Sequence, residues 1–93
     1  MTKEINNKIV KFLQPHGVKT IAIFGSYARG ETTKTSDIDL LVEFSDKKTL
    51  FDLVAIENEL SESLGIKVDL LTEKALSPYL VDSIKKQLVV IYE

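Results

Sequence analysis

The chain has 93 residues, 44% apolar and 28% charged, with a formal net charge of −2 and no cysteine. That is core material for one small domain over residues 1–93, and it excludes a disordered chain, disulfides, zinc–thiolate sites and cysteine nucleophiles. The charge balance lacks the basic footprint of direct nucleic-acid binding, and with no leader and no apolar run of membrane length the expected location is the cytoplasm.

In chain order, Ile5, Ile9, Phe12 and Leu13 recur at helical spacing and predict a helix over 3–14, capped by Thr2 and stopped by Pro15-His16-Gly17. His16 reads as a solvated turn residue. Val18 to Phe24 is rich in β-branched and aromatic residues and predicts a buried strand ending at Gly25-Ser26. A short helix over 26–29 and a polar loop over 30–36 follow. Asp37 to Phe44 predicts a second strand, and 45–48 a turn.

Thr49 caps a predicted helix from Leu50 to Leu64, with Asp52 in its first turn, Leu53, Ile56, Leu60 and Leu64 as its inner stripe, and Gly65 as its stop. Ile66 to Leu71 predicts a third strand. Ser77-Pro78 starts a helix running to about Lys86, and Leu88 to Tyr92 a last strand. This order predicts an α/β (α+β) domain with helices covering one sheet. Leu76, Leu80, Val81, Ile84, Leu88 and Val90 are expected to close the domain's own core rather than form a partner surface.

Three places carry chemistry. Phe24-Gly25-Ser26 ends a strand at a helix start, where glycine lets the backbone approach an anion and the first helical N–H groups are unpaired. Ser26 adds a hydroxyl and Arg29 a charged fork for phosphate; the alternative is a plain turn. Asp37 and Asp39 share a parity on the second strand, roughly 7 Å apart, and repel unless a cation lies between them. Hard oxygen ligands on a rigid strand suit magnesium; the alternative is a loop cap at Asp37 and an edge charge at Asp39. Asp69 interrupts another apolar strand, where a carboxylate needs either metal or an ion pair with Lys67 or Arg29.

Gly25-Ser26, ten intervening residues and Asp37-x-Asp39, with Asp69 between apolar neighbours, resemble the signature of the polymerase-beta-like nucleotidyltransferase superfamily. Compactness and Ala28-Arg29-Gly30 resemble its minimal nucleotidyltransferase branch, which includes the antitoxins paired with HEPN-domain toxins. Tyr27 departs from the arginine many members carry, which shifts weight onto Arg29.

The resemblance implies the polymerase-beta-like fold, one mixed sheet of about four strands covered by helices. It further implies Gly25 and Ser26 on the outer phosphates of ATP, and Asp37, Asp39 and Asp69 around two Mg2+ ions, with Mn2+ as an alternative. Asp69 would also help deprotonate the acceptor. The implied partner is a HEPN-type toxin that accepts AMP on a tyrosine hydroxyl, since no acceptor-binding domain is visible in the sequence. Two other readings are an antitoxin that acts by occlusion alone, and a small-molecule nucleotidyltransferase working as a homo-oligomer.

Overall fold

The computed structural model describes residues 3–25, 28, 30 and 37–93. Its elements are helix α1 (Lys3–Leu13), strands β1 (Val18–Phe24) and β2 (Ile38–Phe44), helix α2 (Leu50–Leu64), strand β3 (Val68–Thr72), helix α3 (Pro78–Lys85) and strand β4 (Val89–Tyr92). Short 3-10 turns occupy Gln14–His16 and Glu73–Ala75.

Local chemistry sets the helix ends. Thr49 Oγ1 accepts from Asp52 N–H at 3.1 Å while Asp52 Oδ2 accepts from Thr49 N–H at 2.9 Å, a reciprocal capping box. Gly65, at φ +69°, ends α2 by donating its N–H to Ser61 O at 2.9 Å. α3 starts with Pro78 in place and the Ser77 hydroxyl accepting from Leu80 N–H at 3.4 Å. α1 stops at Leu13, one residue short of the expected end, because the chain tightens into the 3-10 turn that holds Pro15.

The sheet runs β3-β2-β1-β4. β1 is antiparallel to β2 and β4, whereas β2 and β3 are parallel, which requires a crossover, and α2 supplies it. Alternation then sorts the side chains. Ile21, Ile23, Ile38, Leu40, Val42, Val68 and Leu70 meet Ile9 and Leu13 of α1 and Ile56 and Leu60 of α2, and all are buried. Each of these side chains contributes about 1.5–3 kcal/mol on burial. The other face carries Thr20, Ala22, Leu41, Glu43 and Val90, with Asp39 and Asp69 at one end.

Several boundaries move from the expected ones. β2 begins at Ile38 rather than Asp37, and β3 covers Val68–Thr72 rather than 66–71, because the ladder opens with Ile38 N–H donating to Lys67 O at 2.9 Å. The expected cap Thr2, the short helix over 26–29 apart from helical Ala28, and the polar loop over 30–36 apart from Gly30 lie outside the described residues.

The C-terminal apolar residues depart most from expectation. None of Leu76, Leu80, Val81, Ile84, Leu88 and Val90 is buried, and α3 contributes no buried residue. Only Ile91 and Tyr92 of β4 lean on the core. α1 and α2 already fill the covered face of the sheet, and β4 is an edge strand, so those six side chains find no interior to enter.

Candidate active site

Gly25 leaves β1 at φ +76°, a left-handed conformation that L side chains rarely adopt. A side chain is excluded there on a second ground: a Cβ would collide with Asp39 Oδ2 and lie 3.4 Å from Asp39 Cγ. This closeness follows from register, since Phe24 and Asp39 are direct partners across β1 and β2. The Asp39 carboxylate therefore lies against bare backbone at the turn.

Asp39 is also the direct partner of Asp69 on parallel β3. Neighbouring strands lie about 4.8 Å apart, and in-register side chains point to the same face. Register thus sets Asp39 and Asp69 side by side on two neighbouring strands, in addition to the shared parity of Asp37 and Asp39 along the chain. Like charges in this arrangement repel, and a divalent cation relieves the repulsion.

Asp37 precedes the first ladder residue and makes an exposed ion pair with Lys67, Oδ2 to Nζ 3.8 Å. Lys67, one of the two cations considered for Asp69, thus goes to Asp37. Among the described residues, no three His, Cys, Asp or Glu side chains gather into a metal-holding group. A pair of carboxylates still fits magnesium or manganese, which take one or two carboxylates and complete their shell with water and phosphate oxygens. Ser26 and Arg29, the expected phosphate contacts, lie outside the described residues.

A groove of about 890 Å3 lies over the far end of β2, lined by Thr20, Leu41, Glu43, Lys85 and Val90 and reaching round to Leu53 of α2. None of the three acids lines it. It lies toward the opposite end of β2 from the acids, so strand register rather than concavity locates the candidate chemistry.

Two residues escaped the sequence reading. Ser61 Oγ accepts from Val68 N–H at 2.9 Å, and Glu57 Oε2 accepts from Leu70 N–H at 2.8 Å, one on each side of Asp69. The available signal was a pair of polar residues four apart on the flank of the inner stripe of α2.

This topology, with a glycine turn set against an acid pair on one face of a mixed sheet, defines a nucleotidyl-transferring class of α+β domain. A family model described as "Nucleotidyltransferase domain" matches residues 4–91. The chain belongs to that family and is a nucleotidyltransferase. It is 52% identical over 86 residues to a Methanocaldococcus jannaschii chain that carries the provisional name protein adenylyltransferase, covering 92% of each.

Among solved structures, it superposes with a TM-score of 0.85 and 28% identity on a chain from a crystal structure of a toxin–antitoxin with AMP-PNP, covering 94% of this chain and 72% of that one. A second similar chain is from the tri-AMPylated Shewanella oneidensis HEPN toxin in complex with MNT antitoxin. There the TM-score is 0.81 at 26% identity, over 99% of this chain and 72% of that one. No helix among the described residues is long and apolar enough to cross a membrane.

Proposed function

We propose that the chain transfers AMP from ATP to a tyrosine hydroxyl of a HEPN-type toxin and thereby acts as its antitoxin. The observation that carries this reading is the in-register pair Asp39–Asp69 beside the side-chain-free turn at Gly25. The similar chains support the finer assignment, one named for protein adenylyl transfer and others drawn from toxin–antitoxin complexes with AMP-PNP or an AMPylated toxin.

In this reading the backbone at Gly25, with Ser26 and Arg29, holds the outer phosphates and turns the α-phosphate toward the acid pair. Asp37, Asp39 and Asp69 would hold the divalent ions, Asp37 giving up its exposed ion pair with Lys67 to do so. When bound, two magnesium ions supply charge neutralisation at the triphosphate and a lowered pKa at the attacking hydroxyl. The tyrosine oxygen bonds to the α-phosphorus, the bond from that phosphorus to the bridging oxygen breaks, and pyrophosphate leaves. Asp69 takes up the hydroxyl proton.

The test is incubation of the chain with magnesium, labelled ATP and a HEPN-type toxin. Label is expected on the toxin, and Asp39→Asn is expected to abolish it. Full transfer by an Asp37→Ala, Asp39→Ala double variant would refute the metal-dependent mechanism.

A second reading, inhibition by occlusion, draws on the apolar side chains left uncovered on α2 and α3, including Phe51 at 86% and Tyr79 at 90% exposure. It expects Asp39→Asn to neutralise the toxin in cells as well as the parent chain does.

A further inference from the structure

Asp69 hangs from an edge strand, and an edge strand has a row of backbone groups with no strand beside it. In the parallel β2–β3 ladder, Ile38 N–H bonds to Lys67 O at 2.9 Å. Alternation along β3 then turns the N–H groups of Val68, Leu70 and Thr72 away from β2. α2 meets the first two. Ser61 Oγ accepts from Val68 N–H at 2.9 Å while donating to Glu57 O at 2.8 Å. Glu57 Oε2 accepts from Leu70 N–H at 2.8 Å, a charge-assisted bond. Both bonds are partly buried, which shields them from competing water.

The two bonds bracket Asp69, one on the amide before it and one on the amide after it. Thr72 N–H, the next outward donor, has no such side-chain partner among the described residues, so the clamp is confined to the neighbours of the acid. Protecting a sheet edge in general would not require this placement.

We propose that Glu57 and Ser61 are positioning residues for nucleotidyl transfer. They lock the backbone on both sides of Asp69 and so hold its carboxylate in register with Asp39. The proposal rests on the reading that Asp69 works with Asp39 at the phosphates of the nucleotide.

The experiment titrates Mn2+ into the intact chain saturated with AMP-PNP and follows free Mn2+ by electron paramagnetic resonance. Asp69→Asn is expected to weaken Mn2+ binding by about tenfold or more, and Glu57→Ala by about tenfold, the scale of a lost outer-shell support. Glu57→Gln keeps an acceptor oxygen and is expected to stay within about twofold of the parent. In the Asp69→Asn background, Glu57→Ala is expected to add no further loss, because its effect passes through Asp69.

Unchanged affinity in Glu57→Ala, or an equal loss in both backgrounds, overturns the positioning role and leaves the reading of Asp69 standing. An unchanged Asp69→Asn sinks that reading itself and the positioning role with it. Should Glu57→Ala melt below the assay temperature, Ser61→Ala enters the same cycle with the same outcomes. Amide exchange in the metal-free chain is a second readout. Leu70 N–H is expected to exchange faster in Glu57→Ala but not in Glu57→Gln, and an unprotected Leu70 amide in the parent chain overturns the clamp.

Discussion

Gly25 is held to glycine twice over, by its φ of +76° and by the carboxylate of Asp39 against it. Gly25→Ala is therefore expected to lower stability by about 1–2 kcal/mol from the backbone conformation alone, read from denaturant unfolding, and to weaken ATP binding by moving Asp39. Asp69 gives the opposite sign. Neutralising one member of a like-charged cross-strand pair, as in Asp69→Asn, is expected to raise metal-free stability by about 0.2–1 kcal/mol while abolishing transfer. A loss of metal-free stability in that variant would mean that the two acids do not repel in the apo protein. A residue that stabilises the fold when removed is one retained for chemistry rather than for packing.

At the scale of elements, α2 carries three roles on three sides. Its inner stripe builds the core, its flank clamps β3, and its outer face is exposed. Ile56→Ala is expected to cost about 2–5 kcal/mol, whereas Phe51→Lys is expected to stay within about 0.5 kcal/mol by the same unfolding assay.

The start of α2 also gives the protein an acid-sensitive element. Thr49 N–H and then the Thr49 hydroxyl hold the Asp52 carboxyl below its ordinary value of 3.8. The contribution of the charged form is whole above 3.8 and is lost as pH falls through the lower folded value. Thr49→Ala removes the hydroxyl and keeps the backbone N–H. It is therefore expected to cost about 1 kcal/mol near neutral pH as a lost helix cap and to leave most of this acid limb in a melting-temperature-against-pH series, whereas Asp52→Asn is expected to remove it. At the alkaline end, the hydrogen bond and charge of Glu73 raise Lys85 above 10.5, so that pair contributes below 10.5 and is lost as pH rises through the folded value.

At the scale of the whole molecule, the proposed function depends on bringing three segments to one end of one sheet face. The turn after β1, the start of β2 and the start of β3 meet there because β1–β2 is antiparallel and β2–β3 parallel. Chelating divalent ions is accordingly expected to abolish transfer to a HEPN-type toxin and magnesium to restore it. Label on the toxin in the presence of excess chelator would contradict the metal-dependent reading.

What the amino-acid order determined by itself was local: the α2 bounds from Thr49 and Gly65, the strand character of Val18–Phe24, and the oddity of aspartates inside apolar strands. These follow from hydrogen bonds and side-chain preferences within a few residues of one another. Tertiary structure alone decided that Asp69 opposes Asp39 while Asp37 goes to Lys67, that Glu57 and Ser61 bracket Asp69, and that Leu80 and Val90 stay outside the core. Those outcomes depend on strand order and register. Both are set by how two helices fill one face of the sheet, and no stretch of neighbouring residues encodes that packing.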